Sequence, residues 1–200
     1  QAFQRKFPDL DAQISANKNM PIEAWPDAAR QWLENGLLGR LQGFIERAVD
    51  GQWALDIAIY EYQLQAIVDT VNAAFDRGVQ VRVLYHARPD DEDTTINEAS
   101  LAKLPSSSKR GRVTHNIFHN KFIVLSRLDG GGERQPQAVL CGSTNFTANG
   151  VYRQANVVHV LDDAAVSASY LKTFEQIWTE PADVGATRDW ITQHNPMNPA

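Results

Sequence analysis

The 200-residue chain has a single cysteine, Cys141. That excludes an internal disulfide and any cysteine-based zinc site. Its place in an apolar run reads as a small buried hydrophobe. No apolar run approaches the ~20 residues needed to cross a bilayer, and no amphipathic basic helix marks a membrane-surface segment. Positive charge is short as well. Lys and Arg number 19 against 24 Asp and Glu, a net charge of −5. This balance argues against a broad electrostatic grip on nucleic acid, while leaving room for a local positive cleft. No GxGxxG follows the first strand pattern, which removes the dinucleotide-binding turn. There is no internal repeat at periods of 20–50 residues. Nor do carboxylates and histidines cluster at metal-ligand spacing, so neither a metal nor a cofactor is expected.

What remains is an ordinary globular composition, 43% hydrophobic and 22% charged, long enough for one domain with its own core. Residues 1–24 are polar and read as an arm or surface wrap. From Pro26, the residues Trp32, Leu33, Leu37, Leu41, Phe44, Ile45 and Ala48 recur at helical spacing, interrupted by Gly36 and Gly39. Two short helices or one bent one fit. Trp53 to Tyr60 is apolar nearly throughout, as a central strand should be. Leu64, Ile67, Val68, Val71 and Phe75 mark an amphipathic helix that Gly78 ends. Val79 to Leu84 is the next strand, and strand–helix–strand predicts parallel pairing. Residues 87–94 read as a loop, Thr95 to Leu104 as a helix, and 105–114 as a basic loop. Phe122–Leu125 and Ala138–Cys141 read as strands joined by a Gly-rich connection over 127–136. A last strand spans Val157 to Leu161. Asp162 or Asp163 caps a helix whose Tyr170, Phe174 and Trp178 belong to the core. The expected architecture is α/β, a mixed sheet with helices on both faces. Its divisions are an arm at 1–24, a domain at 25–182, and a helix and linker at 183–200.

Two polar clusters stand at the strand ends. His119-Asn120-Lys121 precedes one strand and Gly142-Ser143-Thr144-Asn145 follows the other. Alternate residues of an extended chain share a face, so His119 pairs with Lys121 and Ser143 with Asn145. If the strands pair, an imidazole, an ammonium, a hydroxyl and a carboxamide converge at one end of the sheet. That set suits an anionic oxygen centre such as a phosphate.

HNKFIVL followed by GSTNFT resembles the HxK…GSxN signature of the phospholipase D superfamily, and the likeness in element order extends over roughly residues 50–180. The resemblance implies a phosphodiester hydrolase that needs no metal. In it His119 is a nucleophile passing through a phosphohistidine, and Lys121, Ser143 and Asn145 hold the non-bridging oxygens. It also implies two HxK–GSxN halves per active site, whereas this chain carries one. His86, His115, His159 and His194 have no lysine two places on. A partner is therefore expected, either a second half beyond the linker-like end or a homodimer. The substrate is a phospholipid or a nucleic acid. The family's aspartate seven places after the histidine is here Ser126, which strand parity turns away from His119. Its glutamate thirteen places after the GSxN serine is here Asn156, able to accept an imidazole N–H but not to stabilise an imidazolium. These departures support an alternative: a weak or inactive module that binds phosphate-containing ligands or acts as a scaffold.

Asn156, His115 and Glu61 are the further candidates for substrate contact. His86 ends a strand where α/β ligand sites often lie. Lys109, Arg110 and Arg112 could steer a polyanion.

Overall fold

The computed structural model describes residues 1–18, 20–113, 117–179 and 184–194. Its centre is a six-stranded mixed sheet in the order β3-β2-β1-β4-β5-β6. The strands are β1 (Trp53–Ile59), β2 (Gln80–His86), β3 (Lys109–Arg112), β4 (Lys121–Leu128), β5 (Arg134–Gly142) and β6 (Val158–Leu161). β1 lies parallel to β2, and β2 to β3; β1–β4, β4–β5 and β5–β6 are antiparallel.

Period-two alternation divides the sheet into two faces. Leu55, Ile57 and Ile59 of β1, Val81 and Val83 of β2 and Ile123 and Leu125 of β4 join one core with helices α4 (Leu37–Glu46) and α5 (Gln65–Asp76). Ala58, Leu84, Phe122, Val124 and Val139 face the other way and pack on Phe174, Ile177 and Trp178 of α7 (Ala164–Thr179). Helices thus cover both faces, as the pattern of apolar residues predicts. The α5 helix ends at Gly78, whose φ of +86° favours glycine. Asp163, rather than Asp162, caps α7 by accepting from Val166 N at 2.9 Å; Asp162 pairs with Arg47.

One polar cluster braces the α7 face. The fully buried Asp56 of β1 accepts from Arg82 Nε at 2.6 Å and from Arg134 Nε at 2.9 Å. Arg82 reaches on to Glu175 of α7 and lies over the Phe174 and Trp178 rings. Three strands and a helix are tied together by this cluster.

Three stretches depart from the sequence expectation. Residues 1–24 contain α1 (Ala2–Lys6), α2 (Pro8–Ala16) and a 3-10 turn at Ile22–Ala24. Leu10, Ile22, Trp25 and Ala29 form a small core there, with Ala29 belonging to α3 (Asp27–Glu34), and Ala148 and Tyr152 pack against it. Helix α6 (Glu92–Ser100) begins inside the expected loop, because Asp91 caps it by accepting from Asp93 N at 3.0 Å. The basic stretch before the motif is not a free loop either, since Lys109–Arg112 is edge strand β3. Helix α8 (Val184–His194) meets β3 through Arg112, which bonds Thr187 Oγ1 at 3.0 Å. Among the described residues no helix is long and apolar enough to cross a membrane.

Candidate active site

The C-terminal ends of β1, β2 and β5 and the start of β4 meet at one end of the sheet. Register fixes this: Ile59 pairs with Lys121 across β1–β4, and Phe122 with Cys141 across β4–β5. Tyr60 and Glu61 therefore leave β1 beside Lys121, and Ser143 leaves β5 one step on. Gly142 is required where it stands, because a Cβ there would drive into the Val157 carbonyl of the adjacent segment. That close approach lets Ser143 N donate to Val157 O at 3.0 Å.

His119 is exposed, while Lys121 is 8% exposed. The Lys121 ammonium lies 5.5 Å from the centre of the Tyr60 ring and 3.4 Å from the His119 carbonyl. The His119 ring stands 5.6 Å from the Tyr60 ring. Burial pushes the Lys121 amine down to about 8, and the neighbouring Glu61 carboxylate opposes the shift. Burial and then the Lys121 charge lower the His119 pKa, which favours the neutral, nucleophilic imidazole. Glu61 is pushed up by burial and by Asp93, against the pull of Lys121. Tyr60 is raised to about 12 by burial and by its bond to Asp93, to whose Oδ2 the hydroxyl donates at 2.9 Å.

The GSxN residues are engaged within the chain. Asn145 Nδ2 donates to Glu61 Oε2, and Asn145 Oδ1 is buried without a partner. Ser143 Oγ donates to Asn156 Oδ1 at 2.9 Å and accepts from Val157 N at 3.1 Å. Asn156 Nδ2 donates to Gly150 O at 2.8 Å and to Gln154 Oε1 at 3.0 Å. Asn156 is thus bonded to the serine, where the sequence suggested an imidazole partner. Backbone bonds fasten the two clusters: Phe146 N donates to Glu61 O, and Gln63 N and Leu64 N both donate to Phe146 O.

The structure therefore gathers His119, Lys121 and Glu61 beside Tyr60, bonds Asn145 to Glu61, and binds Ser143 to Asn156. His115 lies outside the described residues. Ser126 is fully buried. It is five residues along β4 from Lys121, roughly 16 Å at strand rise, and a register shift with β5 falls beside it. The basic residues of β3 are spent internally: Lys109 donates to Leu101 O, Arg110 to Trp178 O, and Arg112 is 3% exposed. Tyr60 had no sequence signal beyond its place at a strand end. A groove of about 540 Å³ beside Asn156 is lined by Leu33, Leu37, Arg40, Val151 and Val157, among others; its walls come from segments far apart in the chain. Among the described residues no three His, Cys, Asp or Glu side chains cluster as a metal site.

The family described as "Cardiolipin synthase, PLD-like domain" matches residues 45–178. The mitochondrial cardiolipin hydrolase of Drosophila melanogaster is 26% identical over 151 residues, covering 67% of this chain and 55% of that protein. A phospholipase D of Rickettsia bellii is 30% identical over 99 residues, covering 49% of this chain and 43% of its own. The chain thus spans about half the length of these curated relatives. Among solved structures, NucT from Helicobacter pylori superposes with a TM-score of 0.55 at 18% identity, covering 74% of this chain and 91% of that one. Nuc of Salmonella typhimurium, a phospholipase D family member, gives 0.53 at 21% identity, covering 71% and 86%. At those identities the likeness is one of fold.

Proposed function

This chain belongs to the PLD-like family that its residues 45–178 match, and from that premise we propose that it hydrolyses phosphodiesters through a covalent intermediate on His119. The observation that carries the reading is the pairing of a solvent-accessible imidazole with a largely buried ammonium, both beside Tyr60. A neutral imidazole nitrogen attacks phosphorus, and the bond to the leaving oxygen breaks. That oxygen takes a proton from a general acid. Water then attacks phosphorus, giving its proton to the group that acted as the acid; the phosphorus–nitrogen bond breaks, and the imidazole is regenerated. Lys121 holds a non-bridging oxygen as charge builds on it; losing such a donor costs about 3–4 kcal/mol.

Neither His86 nor His159 supplies the acid in this reading. His86 is fully buried and His159 lies on edge strand β6. A second half-site, from further polypeptide or from a second copy of the chain, provides it. The substrate is a phospholipid or a nucleic acid, and the internal pairing of Lys109, Arg110 and Arg112 gives no support to a long polyanion.

A second reading is supported by the engagement of Ser143 with Asn156 and of Asn145 with Glu61. In it the site binds a phosphate group without turning it over. The deciding experiment incubates the protein with bis(p-nitrophenyl) phosphate, measures p-nitrophenol release and isolates phosphohistidine, with the mass of the active species taken by sedimentation. Turnover with a trapped phosphohistidine supports the hydrolase. Orthovanadate binding without either supports the binding module. Vigorous turnover by a verified monomer overturns the two-half reading.

A further inference from the structure

Residues 117–120 reach the site without regular secondary structure, so His119 has no ladder to hold it until β4 begins at Lys121. Two anchors act on Phe118 instead. Its ring is 5% exposed and belongs to the α7-side core. Its amide donates to Nδ1 of His86 at 3.2 Å.

His86 is the fully buried last residue of β2. Because Nδ1 accepts the Phe118 N–H, the proton of the neutral ring sits on Nε2. Nε2 faces Asp91 Oδ2 at 3.4 Å. Asp91 is itself fixed by the Asp93 amide and by Arg88 at 2.9 Å. The His86 carbonyl accepts from Asn97 Nδ2 at 3.2 Å, and the same amide group donates to Tyr60 O at 2.9 Å. The His86 ring meets the Tyr60 ring edge-on at 5.0 Å. One buried imidazole thus touches the backbone just before His119 and also the aromatic ring beside His119 and Lys121.

We infer that His86, oriented by Asp91, is a positioning residue that latches the Phe118 amide and so sets where the His119 imidazole stands. It touches no substrate. The inference rests on the hydrolase reading for its catalytic consequence, but the latch itself is a backbone hydrogen bond that can be measured apart from turnover.

The test compares wild type, His86→Leu and His86→Asn in the turnover-competent form, full-length chain or dimer. Asn places an acceptor oxygen near the Nδ1 position; Leu keeps bulk but accepts nothing. With bis(p-nitrophenyl) phosphate, His86→Leu should lose about 100-fold in kcat with KM nearly unchanged, as expected for a misplaced reactive group. His86→Asn should recover most of that loss. Hydrogen exchange at the Phe118 amide should be slow in wild type and in His86→Asn, and fast in His86→Leu. A His86→Leu protein with wild-type kcat overturns the proposal, and so does a Phe118 amide that stays protected in it. If His86→Leu does not fold, wild type and His86→Asn decide: a fast-exchanging Phe118 amide in wild type, or an Asn variant that loses both kcat and protection, overturns it. If wild type neither turns over nor forms phosphohistidine, the hydrolase reading fails separately. The latch is then judged by Phe118 exchange and by orthovanadate affinity across the same variants.

Discussion

Asn145 donates its amide nitrogen to the Glu61 carboxylate, which joins the end of β1 to the turn after β5. Glu61 also faces Lys121 and holds its amine up against the effect of burial. In the proposed hydrolase, phosphate binding needs the charged ammonium, present below a pKa of about 8 and lost above it. The alkaline limb of kcat/KM should therefore lie near pH 8, since that ratio reports the free enzyme. Glu61→Gln removes the supporting charge and should move the limb to lower pH. A limb that stays put or rises would show that the carboxylate does not act on Lys121.

In the proposed hydrolase the acid limb belongs to His119. Burial and Lys121 lower its pKa below the ordinary 6.5, so the neutral imidazole persists into mildly acidic solution. Turnover should hold through pH 6.5 and fall only below it. His119→Asn should cost about 10³-fold or more in kcat and abolish the acid-labile phosphoenzyme, read by mass spectrometry of quenched samples.

Asn156→Glu tests what position 156 does. From sequence alone, a carboxylate there promises better support for a histidine. The structure reverses that expectation, because Asn156 Nδ2 donates to two carbonyl-type oxygens, Gly150 O and Gln154 Oε1. A glutamate would set its charge against both. Turnover should fall, and stability should drop by about 1 kcal/mol, the net worth of a typical hydrogen bond. Steady-state kinetics and urea midpoints check both; a gain in turnover would restore the simpler view.

Asp56→Ala leaves Arg82 and Arg134 without their shared buried carboxylate. Removing one partner of a buried ion cluster costs about 3–5 kcal/mol. The denaturant midpoint should fall accordingly, with KM unchanged in whatever fraction remains folded. A midpoint within error of wild type would mean the cluster contributes nothing net.

The β1–α5–β2 unit and the β4–β5 pair were legible because their residues obey one period each: Leu55, Ile57 and Ile59 at two, and Ile67, Val68 and Val71 at helical spacing. β3 was not, since KRGR has no apolar residue and pairs only along one edge. Its side chains are held by tertiary partners such as Trp178 and Thr187. Phe3, Phe7, Leu10 and Ile14 do recur at helical spacing across Pro8, so α1 and α2 left a signal that the polar composition masked. HxK and GSxN marked one end of the sheet, where Lys121 and Asn145 both come beside Glu61. Tyr60 carried no sequence signal beyond its strand end, and His86 only its strand-end position, because their contacts with His119 and Phe118 arise only when three strand ends meet.

Phe146 is stitched to the 61–64 segment by three main-chain bonds, at 3.0, 2.9 and 2.6 Å. A rim fastened that way has little left to organise when an anion arrives. Encounter with a small phosphate analogue should thus follow a single exponential whose rate climbs linearly with ligand concentration, with no plateau from a slow isomerisation.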